Sequence, residues 1–277
     1  MSRKILSLIG VFLLAVSAAA LAQEASTAPA SAVPAATRTD IDCAGFIAGS
    51  KLAQDIYIVS GEDNDSYEPL RQFVAGNMVF LGHKPGINVA EGTEYSLVRL
   101  GNEIFRTSRY DGEHGSVRTL GQPYQDVGRI KVNRLTPQGA IAEVTFACGP
   151  VFPGDFAIPY KARAIPDYTP TKEFDRFATP NGKLMGAITA AKYNLNLLGT
   201  GDIAYINLGE SDGVKPGQRF RVFRLIRDRL EGLFTLPDTP LESVGELVVL
   251  TTQERSSVAI LINCLRDVYL GDGVELE

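Results

Sequence analysis

Short runs of alternating hydrophobic and polar residues recur through the last third of the chain. In residues 219–224, Phe220 and Val222 alternate with Arg219 and Arg221, which is the period of a strand that buries one face. Comparable runs predict five further strands, at residues 185–191, 203–208, 245–251, 257–263 and 273–276. Because short, numerous strands are protected when their sheet closes, the pattern predicts a small six-stranded β-barrel.

An earlier part of the chain repeats this pattern. Residues 76–99 align without a gap with residues 201–224, and residues 127–155 align in the same way with residues 244–272. The identities in the first block are Gly76/Gly201, Val89/Val214, Gly92/Gly217 and Arg99/Arg224. Those in the second block fall at Val127, Gly128, Val132, Ala142, Val151, Gly154 and Asp155.

A third, shorter echo comes before both blocks. The run "GFIAGSK", which begins at Gly45, matches "GAITAAK", which begins at Gly186, and predicts that the first strand of the first copy starts there. Three echoes in the same order indicate a duplicated domain. The predicted fold is therefore all-β, with two tandem six-stranded β-barrels from an internal duplication.

Tight turns are predicted between the strands. In "GVKPGQ", Pro216 presets the φ angle of the second position of a type II turn, and Gly217 adopts the positive φ that the third position requires. These glycines therefore serve chain reversal and need no phosphate ligand to explain them. The full set of predicted turn residues is Gly92, Gly154, Asp155, Pro216, Gly217, Gly271 and Asp272.

The first residues have the pattern of a secretory signal peptide. Arg3 and Lys4 precede an apolar run, and Ala20-Leu21-Ala22 matches the cleavage pattern, although a retained membrane anchor is the alternative. We expect a periplasmic or secreted protein without a transmembrane anchor after cleavage. The predicted parts are a signal peptide (1–22), a flexible, disordered linker rich in Ala, Pro, Ser and Thr (23–40), the first barrel (41–160), a second linker (161–184) and the second barrel (185–277).

Net charge limits the class of partner, and cysteine content indicates a disulfide. The formal net charge of -5 argues against a nucleic-acid partner. In an exported protein, two of the 3 cysteines are expected to be oxidised. Cys43 precedes the predicted first strand of the first copy and Cys148 ends its fifth, whereas leucines occupy the matching places of the second copy. We predict a Cys43–Cys148 disulfide; Cys264 then stays unpaired or pairs between chains, and three free thiols are the alternative.

Residues suited to catalysis are few. A serine peptidase needs a histidine base, but the second copy contains no histidine, and His83 and His114 fall in predicted loops. Neither spacing fits the three or four clustered ligands of a zinc site. The acidic run at residues 60–68 is interpreted as a solvated loop, with a calcium site as the alternative. The sequence therefore predicts neither an enzyme nor a cofactor.

The two copies differ on one outer face. In the first copy, the outward positions of the fourth and fifth strands are polar, whereas those of the second copy are apolar. The apolar set is Val248, Leu250, Val258, Ile260 and Ile262. Because monomeric proteins seldom expose such a patch, we predict an interface, either with another part of this chain or with a separate partner.

The second copy resembles a known domain. The segments "DIAYINLGESDGVKPGQRFRVFR", "VGELVVLTTQERSSVAILIN" and "GDGVEL" look like the C-terminal domain of flagellar assembly protein T. They are also similar to the paired barrels of rod-shape-determining protein C. The first copy shows the likeness more loosely. The resemblance implies a β-barrel module of the cell envelope that holds other proteins in place without catalysis.

These observations together give a functional expectation. We expect an exported, non-enzymatic binding or scaffold protein of the cell envelope, with an envelope protein or a polysaccharide as its partner. A module that binds peptidoglycan or another surface polysaccharide is the alternative. A hydrolase is the third candidate.

Overall fold

The computed structural model describes residues 31–62, 72–101, 113–170, 175–225 and 241–277. Its strands are β1 (Val33–Pro34), β2 (Phe46–Ala48), β3 (Ile56–Gly61), β4 (Met78–His83), β5 (Glu94–Leu100), β6 (Gln122–Thr136), β7 (Gly139–Ala147), β8 (Phe156–Pro159), β9 (Asp167–Tyr168), β10 (Met185–Ala191), β11 (Leu197–Leu198), β12 (Ile203–Ile206), β13 (Arg219–Leu225), β14 (Leu241–Thr252), β15 (Ser257–Cys264), β16 (Val268–Tyr269) and β17 (Gly273–Leu276). Its α-helices are α1 (Arg38–Asp42) and α2 (Glu113–Leu120), and short 3-10 turns occur at Lys192–Asn194 and Glu210–Asp212. The predicted signal peptide, residues 1–22, lies outside the described residues.

The second barrel is a closed antiparallel sheet of six strands. Its strand order is β10-β12-β15-β14-β13-β17. The last strand closes it, because β17 pairs with β10 on one side and with β13 on the other. All six strands predicted for the second copy are present, and β14 begins four residues earlier than the predicted run.

The first barrel has the same topology. Its strands follow the order β3-β4-β7-β6-β5-β8, with β3 and β8 paired and β6 and β7 joined as a hairpin. Each strand thus has a counterpart of the same rank in the second barrel. The prediction of two tandem six-stranded barrels is confirmed.

The predicted first strand of the first copy was wrong. The "GFIAGSK" run forms β2, a three-residue strand outside the barrel that pairs with the start of β6. The strand equivalent to β10 is β3, ten residues further along the chain. The reason lies in burial: all three residues of β2 are buried, whereas β3 alternates buried Ile56 and Ile58 with exposed Tyr57 and Val59. The third echo therefore reflects similar apolar composition and not the alternation that marks a barrel strand.

The segment before the first barrel is ordered, which corrects the predicted flexible linker over its described part. β1 pairs with β9, which itself lies within the predicted linker at residues 161–184. Thr37 then caps α1 in a capping box with Asp40. Residues 33–48, comprising β1, α1 and β2, are called the bridging segment below, because they lie between the two barrels. The first barrel therefore begins at β3 and not at residue 41.

Hydrophobic side chains form three separate cores. One fills the first barrel, with Ile58, Leu97 and Ile130 among its members. A second fills the second barrel around Phe220 and Leu247. The third, called the interface core, contains residues of the bridging segment, of α2 and of both barrels. The barrels are therefore packed together through a core of their own.

The turn before the last strand of the first barrel is built around an arginine–aspartate pair. Gly154 has a φ of 92° and Asp155 is buried. The Nε and Nη2 atoms of Arg99 each donate a hydrogen bond to the Asp155 carboxylate at 2.6 Å, and the Phe152 backbone N–H donates a third at 2.7 Å. The guanidinium carbon lies 4.6 Å from the centre of the Phe152 ring.

The second barrel repeats this arrangement atom for atom. Arg224 donates through Nε and Nη2 to Asp272, at 2.8 and 2.5 Å, and the Tyr269 N–H donates to the same carboxylate at 2.8 Å. The guanidinium carbon lies 4.7 Å from the centre of the Tyr269 ring. Gly271 has a φ of 92°. The hydrogen bonds and charge of Asp272 raise the pKa of Arg224 against the opposing effect of burial.

The remaining predicted turns are also present. Gly92 and Gly217 have φ angles of 78° and 85°. The Gln218 N–H donates to the Lys215 carbonyl, which places Pro216 and Gly217 at the two central positions of a turn.

We predict that Arg224→Met lowers the free energy of unfolding by about 1–3 kcal/mol, because it leaves the buried Asp272 without its charged partner. Chemical denaturation measures the change. Lys84→Met is the matched control, because Lys84 pairs with Asp55 at the surface, where the two side chains are 58% and 36% exposed. This substitution should lower the free energy of unfolding by less than about 1 kcal/mol. Equal effects of the two substitutions would contradict a structural role for the arginine–aspartate pair.

Candidate binding cleft between the barrels

The predicted apolar patch lies at the centre of the interface core. Val248, Leu250, Val258 and Ile260 are buried, and Ile262 is half-buried. The buried residues that share this core are Ala35, Ile41, Ala44, Phe46, Ile47 and Ala48 of the bridging segment, Val117 and Leu120 of α2, Val98, Tyr124 and Phe156 of the first barrel, and Ala190, Ile203 and Tyr205 of the second barrel. The patch is thus covered within the chain, and a separate partner would reach it only if the barrels came apart.

Two buried hydrogen bonds join the second barrel to the bridging segment. The Tyr205 hydroxyl donates to the Ala44 carbonyl at 2.8 Å, and the Ser256 hydroxyl donates to the Ile47 carbonyl at 3.0 Å. Burial, together with the charge of Asp126, raises the pKa of Tyr205 well above its ordinary value, so its hydroxyl keeps the proton that it donates. These bonds set the position of the bridging segment on the second barrel.

A disulfide ties the bridging segment to the first barrel. Cys43 and Cys148 are bonded, at a sequence separation of 105, which confirms the predicted pair. Cys43 follows α1 as its C-cap and stands before β2, not directly before the first barrel strand β3, so that part of the prediction was wrong. Cys148 follows β7, as predicted. On the chain-entropy model, closing a loop of this length contributes roughly 4–5 kcal/mol to stability.

A buried ion pair makes a second attachment. Arg163 donates to both oxygens of Asp126, at 2.5 and 2.8 Å, and to the Ile41 carbonyl at 2.9 Å. The same carboxylate accepts the Gly45 N–H at 2.8 Å. Burial lowers the pKa of Arg163, but the hydrogen bonds and charge of Asp126 outweigh this and raise it. The pair thus connects the inter-barrel chain, the first barrel and the bridging segment.

A cleft of about 660 Å³ opens beside the interface core, within the roughly 300–1,000 Å³ typical of ligand sites. Four parts of the chain line it: the bridging segment and the residues just after it, the first barrel, the chain between the barrels, and the second barrel at the end of β14 and in the turn before β13. The lining residues are Phe46, Leu52, Ser96, Ile158, Pro159, Lys161, Ala162, Arg163, Ala164, Pro166, Pro216, Leu250, Thr251, Thr252 and Gln253. The cleft exists only while the barrels are docked.

The lining of this cleft is apolar with a cationic side. Among the described residues that line it, Lys161 and Arg163 are charged and none is a carboxylate. Because Asp126 neutralises Arg163, the exposed Lys161 supplies the accessible charge. Pro216, which lies in the turn before β13, also lines the cleft. The cleft therefore favours an occupant that is partly apolar and carries negative charge.

A second cavity of about 500 Å³ lies beside this cleft, against the first barrel. Leu52, Ile158 and Pro159 line both cavities, so the two are adjacent. Ile87, Asn88 and Tyr95 line the second cavity and not the cleft.

The residues considered for catalysis are not assembled into a site in the described part of the chain. The His83 ring shares a hydrogen bond with the Lys84 carbonyl, and His114 belongs to α2 and not to a loop. No group of three or more metal-binding side chains occurs among the described residues. Most of the acidic run at residues 60–68 lies outside them. Burial raises the pKa of Cys264, which keeps this thiol protonated and weakly reactive.

None of the described helices is long and apolar enough to cross a membrane.

Sequence reasoning finds the apolar patch but misses the cleft. Arg163 and Lys161 lie in a stretch without periodic pattern, for which the sequence predicts only a linker. The one available signal is the alternation of small and cationic residues in "KARA" at residues 161–164. Asp126, the partner of Arg163, directly precedes the repeated Val127-Gly128 pair and has no acidic counterpart in the second copy, where Ser243 occupies the place.

No protein-family model and no curated protein matches this sequence. The likeness to the flagellar and rod-shape proteins therefore rests on the quoted segments alone.

We predict that Ile260→Asp lowers the free energy of unfolding by about 3–5 kcal/mol, because it places an unpaired charge in the interface core. Thermal and chemical denaturation measure the loss. Val59→Asp is the control, since Val59 is an apolar side chain on the outside of the first barrel with 51% of its surface exposed; it should change stability by less than about 0.5 kcal/mol. If Ile260→Asp were as mild as the control, the barrels would not be docked through this surface in solution.

Proposed function

We propose that the chain is an exported, non-enzymatic binding or scaffold protein of the cell envelope, and that the cleft between its barrels is the binding site. The observation that carries this proposal is that four parts of the chain meet to form the cleft, with apolar walls and accessible positive charge. The described residues around it offer side chains suited to contact and none arranged as nucleophile and base. Binding without chemical conversion fits this lining best.

The proposed location has two supports. The first residues have the pattern of a signal peptide, and the disulfide Cys43–Cys148 is of the kind that persists in oxidising compartments. The resemblance to envelope β-barrel modules agrees with this location. A protein partner ranks above a polysaccharide, because sugar sites commonly stack rings on aromatic side chains, and among the described residues of this lining only Phe46 is aromatic.

Site-specific photocrosslinking in the source cells tests the proposal. A photoreactive residue at Ala164, in the cleft, is expected to yield a specific crosslink to a protein of the envelope fraction. The same residue at Ala90, which is exposed and outside the cleft lining, is the control and should yield none. Sedimentation with purified cell wall is measured in parallel.

The outcomes separate the candidates. A crosslink from Ala164 alone, in protein that has lost residues 1–22, supports the proposal. Sedimentation with cell wall without any protein crosslink would replace it with the polysaccharide-binding alternative. Recovery of the uncleaved chain in the cytoplasm would overturn the proposed location.

A further inference from the structure

We infer that the cleft binds an extended, acidic segment of a partner protein, which lies as an added strand along residues 161–165. This inference rests on the proposed function and names the class of ligand for the same site. Four features carry it: an unpaired stretch of backbone, its fixed position, the small side chains that it presents, and the charge beside it.

Backbone N–H donation stops within the inter-barrel chain, where the Arg163 carbonyl still accepts from the Arg38 guanidinium at 2.7 Å. The Tyr160 N–H donates to the Glu94 carbonyl, and the Pro166 carbonyl accepts from Ala35, so both ends of the stretch are paired. Between them, none of the N–H groups of residues 161–165 donates to a group in the described part of the chain. An exposed backbone edge of this kind is what a peptide strand uses when it adds to a protein.

The burial pattern of this stretch is that of extended chain. Ala162 and Ala164 are exposed, whereas Arg163 and Ile165 between and beside them are half-buried, and this alternation is typical of extended chain. Arg163 is held by Asp126 and by the Ile41 carbonyl, and Ile165 packs on the interface core. Because the protein has already ordered this edge, a peptide would bind without the entropy cost of ordering it.

The side chains facing the cleft leave room for a second backbone. Ala162 and Ala164 line the cleft with small side chains, so they do not keep a strand away from this edge. The half-buried Leu52 and Ile158 supply apolar contacts in the same lining, and the half-buried Thr251 and Gln253 supply polar ones. Alternate side chains of a bound strand would therefore meet an apolar and a polar surface.

The positive charge of Lys161 beside the cleft favours an acidic peptide. Lys161 is exposed and makes no ion pair with a described residue, and no carboxylate occurs among the described residues that line the cleft. The Asp42 and Asp126 carboxylates, which line a smaller cavity together with Lys161, are already paired with arginines. A glutamate or aspartate on the bound strand would neutralise it. An anionic lipid would satisfy this charge and the apolar wall, but it would leave the backbone donors of residues 161–165 without a partner, and for this reason we favour the peptide.

A degenerate library of N-acetylated, C-amidated octapeptides tests the inference on the chain without residues 1–22. Sequencing of the retained fraction is expected to show Glu or Asp enriched at one position. Fluorescence anisotropy then gives the affinity of one labelled peptide chosen from that fraction. Hydrogen exchange of the complex is expected to show slower exchange at alternate residues within 161–165, because successive N–H groups of an extended chain point to opposite sides.

Two substitutions and their controls locate the site. Ala162→Trp fills the cleft and is expected to weaken peptide binding at least about tenfold, whereas Ala90→Trp at an exposed alanine elsewhere leaves it unchanged. Lys161→Glu is expected to remove the preference for acidic residues, and Lys183→Glu, at an exposed lysine outside the cleft lining, to retain it. Melting temperatures of all four variants are measured, and each of these exposed positions should melt like the parent chain.

Three results would overturn the inference. They are a library with no retained fraction, binding that survives Ala162→Trp, and binding of palmitate in the cleft without binding of any peptide. If the library fails while Ala164 still crosslinks to an envelope protein, the proposed function stands and only the extended-strand mode is wrong. If both fail, the proposed function fails as well.

Discussion

Burial of the outer face of the β14–β15 hairpin is the constraint on which the arrangement of this chain depends. In the first barrel, the neighbouring outward residues of the equivalent hairpin are Lys131 and Glu143, a pair of opposite charges. At the matching register of the second barrel stand Val248 and Ile260. A charged pair tolerates water, whereas the apolar pair must be covered, so the second barrel alone would expose a surface that proteins seldom leave free.

The bridging segment provides that cover and is itself fixed to the first barrel. The Cys43–Cys148 disulfide holds one point of it, and the Asp126–Arg163 pair holds another. Its apolar residues then pack on the second barrel, where Tyr205 and Ser256 bond to its backbone. The same arginine positions the chain that lines the cleft. The contacts that join the barrels therefore also form the candidate binding site.

The barrel fold was predictable because local sequence patterns specify its strands and turns. Strand alternation, turn glycines and the two gapless alignments located all six strands of the second barrel and most of those of the first. The repeated residues Arg99 and Asp155, and Arg224 and Asp272, were visible as identities, but sequence alone did not show that they contact each other. The arginines belong to one gapless alignment and the aspartates to the other, so the alignments did not show that an arginine and an aspartate form a pair.

The parts that escaped prediction are those whose structure depends on tertiary contacts. The sequence of β2 predicts a barrel strand because an apolar run buried between two domains resembles a strand buried within one. β1 and α1 lie in a stretch rich in small and polar residues, which is ordered through pairing with β9 and through packing between the barrels. The cleft depends on how four distant segments meet, and no local pattern carries that information.

Differential scanning calorimetry of the disulfide-bonded chain without residues 1–22 tests most directly whether the two barrels are one unit. If the interface core couples them, the chain unfolds in a single transition whose van't Hoff enthalpy is about equal to its calorimetric enthalpy. Two separate transitions, or a van't Hoff enthalpy of about half the calorimetric value, would show that the barrels unfold independently and would contradict the account.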